Sequence, residues 1–132
     1  LLPALVIGLD ISFIGEFNPD IMAKKIVAEN ITAIALLPTM YHFLIKENLS
    51  AHKLRYLAVA GDMITESLYF EVYNKLKVHL LNGVGMTEVF GYGQNIEPIS
   101  HNVIKIFSDT QVKIEIFKGS DYGKVFISTP SI

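Results

Sequence analysis

The feature that most constrains this chain is a change in the spacing of its apolar residues, repeated several times along 132 residues. Alternation with period two and short solid apolar runs mark strands, whereas spacings of three and four mark helices. Leu9, Ile11 and Phe13 alternate with Asp10 and Ser12, which predicts a first strand. Asn18-Pro19-Asp20 is a helix start: a capping side chain, proline at the first helical position and a carboxylate in the positive first turn. The spacing carries that helix to about Glu29, with Met22, Ile26 and Val27 on one face. Ile31–Leu37 is uninterrupted and apolar, as a central parallel strand requires. Pro38-Thr39 ends it, and Met40–Lys46 reads as a short helix. Leu54–Ala60 is the next strand, closed by Gly61-Asp62. Thr65 is placed to cap a helix whose Leu68, Val72 and Leu76 recur every four residues. Val78–Leu81 predicts a fourth strand running into a glycine-rich loop, Asn82–Glu88.

This order implies an α/β fold: a largely parallel sheet with helices on its faces. The pattern then changes. Asn95–Asn102 is irregular, Val112, Ile114 and Ile116 alternate with Lys113 and Glu115, and Lys118–Gly123 supplies a turn before Lys124–Ser128. The tail therefore reads as an antiparallel β-hairpin. Residues 1–95 form the α/β part and 96–132 a hairpin appendage of the same domain. The absence of an initial Met, and ends that fall beside apolar runs, suggest an internal piece of a longer protein.

A net charge of −2 gives no electrostatic reason to expect nucleic acid or an anionic membrane as partner. Without cysteine there is neither a disulfide framework nor a thiolate metal site, which fits a cytoplasmic location. Leu1–Ile14 is apolar but too short to span a bilayer, and it lacks the basic leader of a signal peptide. A buried strand accounts for it. Hydrophobic residues make up 51% of the chain, and that excess predicts self-association or another covering partner.

Open parallel sheets bind ligands beyond the carboxyl ends of their strands. Three segments fall there: Pro38-Thr39-Met40-Tyr41, Ala60-Gly61-Asp62 and Asn82-Gly83-Val84-Gly85-Met86-Thr87-Glu88. In the third, the glycines let backbone amides approach a ligand, Thr87 offers a hydroxyl to a phosphate oxygen, and Glu88 offers a hard carboxylate suited to Mg²⁺. The spacing alone fits equally a turn at Gly85, a helix cap at Thr87 and a solvated Glu88. It is neither a dinucleotide fingerprint, since Glu88 occupies the third glycine position, nor a Walker loop, since no Gly-Lys-Ser/Thr follows. His42, His52, His79 and His101 lack ligand spacing, and no serine occupies a Gly-x-Ser-x-Gly elbow. Tyr56, Tyr69, Tyr73, Phe70 and Phe90 read as core or interface, because no basic stripe accompanies them.

Asn82–Glu88 resembles the Tyr-Gly-x-Thr-Glu core of the adenylate-forming, or AMP-binding, superfamily. Ile31–Tyr41 resembles that family's "T…vPtmy" segment, and Leu54–Asp62 its "LRyl.saGe" strand. The three stand in family order with family-like spacing over about residues 1–95, and the likeness is greatest to acyl-CoA synthetases and fatty-acid-CoA ligases. The resemblance implies an ATP-dependent enzyme that activates a carboxylic acid as its acyl-adenylate and passes the acyl group to coenzyme A. It implies Thr87 on the α-phosphate, Glu88 on Mg²⁺, Asn82 on the adenine amino group, and Gly61 and Asp62 walling the purine beside Val84 and Gly85. Thr39, Gly83 and Met86 would line the acyl group. Val84 departs from the usual aromatic there, which removes ring stacking, and Asp62 stands where Glu is commoner. The family's upstream phosphate loop and its downstream catalytic Lys domain are absent from these residues, so the piece alone is expected to be inactive. Two alternatives share the resemblance: an adenylation domain loading a carrier protein, and a non-catalytic nucleotide- or acyl-binding remnant.

Overall fold

The computed structural model describes residues 5–62, 64–86, 90–95 and 103–130. Helix α1 spans Pro19–Ala28, and the Asn18 side chain accepts from the Ile21 amide at 3.1 Å, as the capping pattern predicts. Strand β1 (Ala33–Leu36) is followed by α2 (Pro38–Leu44), β2 (Tyr56–Val59), α3 (Glu66–Leu76) and β3 (Leu80–Met86). Strands β4 (Phe90–Gln94) and β5 (Lys105–Ile106) continue the sheet, and β6 (Gln111–Ile116) with β7 (Gly123–Ser128) forms a separate two-stranded sheet.

The five-stranded sheet runs in chain order, with β1, β2 and β3 parallel and β4 and β5 added antiparallel. Two successive right-handed crossovers that step in one direction leave their helices on one face. Register agrees: Ile34 pairs with Leu57, Leu36 with Val59, and Leu57 with Leu80. Leu57, Val59 and Leu80 share one buried cluster with Met22, Ile26, Leu44 and Val72. Alternate residues Ala33, Ala35 and Tyr56 face away from the helices and are exposed. In α3 the Leu68, Val72, Leu76 spacing holds, with Val72 and Leu76 buried, and Tyr69 joins them.

Three expectations change. Leu9–Phe13 is not a strand. Positive φ at Gly8 (73°) and Gly15 (78°) brackets it, and it runs beside α1, where Lys25 donates to the Phe13 carbonyl at 2.6 Å and Ser12 to Glu29 at 2.6 Å. Leu9 and Phe13 are exposed, while Ile14 and Phe17 pack on the core. Of Ile31–Leu37 only Ala33–Leu36 pairs as a strand, and among the described residues it lies at the sheet edge with alternate residues exposed. The glycine-rich segment is not a loop as far as Met86. It prolongs β3, because β4 answers with glycines of its own, Gly91 opposite Gly85 and Gly93 opposite Val84. The register shifts between Val84 and Gly85.

The hairpin forms as predicted. Gly119 at φ 76° and the Phe117 amide bonded to the Tyr122 carbonyl close its turn. Among the described residues no helix is long and apolar enough to cross a membrane.

Candidate active site

The pairing of Leu36 with Val59 and of Val59 with Asn82 ends the parallel part of the sheet on one level, although β3 itself runs on to Met86. Residues 37–39, 60–62 and 83–86, which follow that level, therefore begin side by side along one rim. Each has a local reason to turn there. Pro38 starts α2 with its fixed φ. Gly61 adopts φ 88°, in the left-handed region, and a β-carbon on it would lie 2.9 Å from Leu37 Cδ2. The two loops approach so closely there that only glycine fits without displacing Leu37. The Thr65 hydroxyl then accepts from the Leu68 amide at 3.3 Å and starts α3.

A cavity of about 470 Å³ opens where α2 and α3 begin, lined by Thr39, His42, Phe43, Asp62, Thr65 and Glu71 among others. Two residues singled out from the sequence, Thr39 and Asp62, meet in it. Asn82, Gly83, Val84, Gly85 and Met86 do not line it; they lie along β3, on the other side of β2 from β1. Asn82 and Gly83 are half-buried, and Gly85 and Met86 are exposed. Gly61 and Asp62 stand between the two groups. Thr87 and Glu88 lie outside the described residues. Among the described residues no group of three His, Asp or Glu side chains is placed to hold a metal ion.

Polar groups stiffen this rim. Tyr41 is fully buried, and its phenol donates to the Ala58 carbonyl at 3.0 Å with the Ile34 carbonyl at 3.4 Å. Burial pushes the phenol's pKa up, so it stays a neutral donor. On α2, His42 Nε2 lies 3.1 Å from Lys46 Nζ. On α3, the Ser67 hydroxyl donates to Glu71 at 2.9 Å. One residue had no sequence signal beyond opening an irregular polar stretch. Asn95 is buried at the end of β4 and bonded to the Asn82 backbone.

A family model described as AMP-binding enzyme matches residues 1–127. No curated protein matches the chain in sequence. Among solved structures, a benzoate CoA ligase from Burkholderia xenovorans superposes with a TM-score of 0.82 at 18% identity, covering 97% of this chain and 29% of that one. The unliganded O-succinylbenzoate coenzyme A synthetase of Bacillus subtilis gives 0.81 at 18% identity, covering 99% and 31%. An amide bond synthetase from Marinactinospora thermotolerans gives 0.71 at 21% identity, covering 89% and 27%. The chain thus belongs to the AMP-binding enzyme family and has its fold. It spans about three tenths of the length of these neighbours.

Proposed function

We propose that the chain is the rim-bearing part of an ATP-dependent ligase that activates a carboxylic acid and then transfers it to coenzyme A. The observation that carries this reading is that the parallel pairing of β1, β2 and β3 stops on one level, which brings parts of the three family-like segments side by side. In the proposed reaction the substrate carboxylate oxygen attacks the α-phosphorus of ATP. The bond to the bridging oxygen breaks, and pyrophosphate leaves with the electron pair. The coenzyme A sulfur then attacks the acyl carbonyl and AMP departs.

Catalysis of the first step is mainly positioning and charge neutralisation. Thr87 orients the α-phosphate by hydrogen bonding. Glu88 would hold Mg²⁺ as a hard carboxylate ligand, and the cation would neutralise charge on the phosphates. Asn82 reads the purine edge, and Gly61, Asp62, Val84 and Gly85 bound the nucleotide. Thr39, Gly83 and Met86 border the acyl group. A β-carbon on Gly83 would meet only the Val59 carbonyl, at 3.9 Å, which leaves room beside this residue. The phosphate loop and lysine of the family are not among these residues, so the reading requires the full-length protein for turnover.

The test is ATP–pyrophosphate exchange by the full-length protein against a panel of carboxylic acids, followed by thioester assay with coenzyme A. Glu88→Gln is expected to slow adenylation about a hundredfold, ~3 kcal/mol, because a hard cation loses its anionic ligand. Thioester formation from preformed acyl-adenylate suffers less. Adenylation within a few-fold of wild type by folded Glu88→Gln overturns the metal role. Adenylation with transfer to a carrier protein and not to coenzyme A overturns the acceptor.

A further inference from the structure

We propose that Asn95 is the positioning residue that holds the nucleotide-facing part of β3 in place, an inference that rests on the function proposed above. Asn82 is where β3 changes partners. Its pairing with β2 ends at Val59–Asn82, and its pairing with β4 begins at Gly83–Gln94. The pairing with β4 stops at Gly83–Gln94, so the Leu80 carbonyl and the amide and carbonyl of Asn82 need partners from beyond β4. Stranded backbone groups in a buried place are costly.

Asn95 meets all of them. Its side-chain oxygen accepts from the Asn82 amide at 2.6 Å, and its side-chain Nδ2 donates to the Leu80 carbonyl at 3.2 Å. Its own amide donates to the Asn82 carbonyl at 3.0 Å. A side-chain carboxamide has the donor and acceptor of a peptide group, so Asn95 prolongs the ladder past the end of β4. The amide orientation is set by these partners, since reversing it would put donor against donor and acceptor against acceptor. Asn95 is 1% exposed, so water cannot substitute for it.

The consequence falls on the rim. Asn82 is the last residue held on both sides before the register shift at Val84 and Gly85. Its backbone direction sets where its own side chain and the Gly83–Met86 backbone lie. Glycine-rich backbone has little stiffness of its own, so its direction depends on its pairing with β4 and on the clamp at Asn82. Asn95 touches no reacting atom and acts through Asn82.

The experiment uses the full-length protein with Asn95→Leu, which keeps the volume and removes every side-chain bond. Asn95→Asp keeps the acceptor for Asn82 and, when ionised, loses the donor to Leu80. ATP–pyrophosphate exchange is measured per active site, with active sites counted by the burst of acyl-adenylate. A residue that only stabilises the fold lowers the number of active sites and leaves the KM for ATP alone. A positioning residue raises the KM for ATP among the sites that remain. The expected result is a KM for ATP raised about tenfold in Asn95→Leu and less in Asp, since one to two hydrogen bonds are lost. A wild-type KM in both variants overturns the proposal. If the leucine variant does not fold, the aspartate variant decides by the same division. If the wild-type protein exchanges no pyrophosphate with any acid, the proposed function fails first. Hydrogen exchange at the Asn82 amide then reads the clamp alone: at least about tenfold faster exchange in Asn95→Leu, which removes the acceptor, supports it, and unchanged exchange overturns it.

Discussion

The buried phenol of Tyr41 donates to the Ala58 carbonyl at 3.0 Å and so ties helix α2 to strand β2, across β1 from which the helix emerges. Tyr41→Phe keeps the ring in the core and deletes the bond. The expected loss of stability is about 1 kcal/mol, read from denaturant titration. The variant also changes the alkaline response. Burial raises the folded-state pKa of Tyr41 above its ordinary value of 10.0. The unfolded phenol ionises near that ordinary value while the folded one keeps its proton, so stability is full below pH ~10 and declines above it. Tyr69 shifts in the same direction, through burial first and Tyr73 second. Tyr41→Phe should therefore flatten the decline between pH 9 and 11 (~1 proton less at stake) without abolishing it.

Gly61→Ala tests the contact between the first two rim loops. The new methyl meets Leu37 Cδ2 at 2.9 Å, and the backbone stays at φ 88°. The expected cost is about 1–2 kcal/mol, part contact and part backbone strain. Leu37→Ala alone should cost little, because Leu37 is half-exposed at 42%. In the double variant the contact part vanishes and the strain remains. A fully additive cycle, measured by thermal unfolding, counts against the contact.

Two glycines that look alike in the sequence should behave oppositely. A β-carbon on Gly83 has only the Val59 carbonyl at 3.9 Å, an ordinary contact, whereas one on Gly93 meets Ile104 Cγ2 at 2.7 Å and the Lys105 carbonyl at 2.9 Å. Gly93→Ala is expected to destabilise by about 2 kcal/mol or more, since backbone of the neighbouring strand cannot yield. Gly83→Ala should stay within about 0.5 kcal/mol. Gly83→Leu, in turn, should reduce adenylation of bulky acids far more than of small ones. Equal loss across acid sizes points to damage of β3 instead.

Thr65→Ala removes the hydroxyl that accepts from the Leu68 amide. The expected loss is about 1 kcal/mol, and Thr65→Asp should restore it, because a carboxylate both caps and meets the positive end of the helix. Circular dichroism during thermal unfolding distinguishes the two variants. Equal stability of the alanine and aspartate forms would show that the cap is idle.

Much of the fold is local, and that part was legible. Asn18-Pro19-Asp20 and Thr65 start helices through bonds within one turn. The four-residue spacing of Leu68, Val72 and Leu76 needs only helix geometry to define a buried face. The alternation of Val112, Ile114 and Ile116 specified the hairpin for the same reason. The likeness of Ile31–Tyr41, Leu54–Asp62 and Asn82–Glu88 to one family needed only order and spacing, and the family match over residues 1–127 agrees with it.

Partnership, in contrast, is a property of the folded chain. Leu9–Phe13 has the period of a strand, yet a strand exists only where another backbone bonds to it, and here the Lys25 side chain bonds the Phe13 carbonyl while Glu29 takes the Ser12 hydroxyl. Ile31–Leu37 has a central strand's composition, but its place at the edge depends on which strands lie beside it. Asn82–Met86 reads as a loop because glycines favour loops. Pairing with an equally bare β4 makes it a strand. Asn95 carried no signal at all, since its bonds to Leu80 and Asn82 span 15 and 13 residues and arise only once β3 and β4 are side by side. Local spacing thus determined which segments are helices and which rim residues carry the family pattern. Long-range hydrogen bonding decided which extended segments become strands and what holds the rim in place, because backbone donors and acceptors must find partners that no nearby residue can supply.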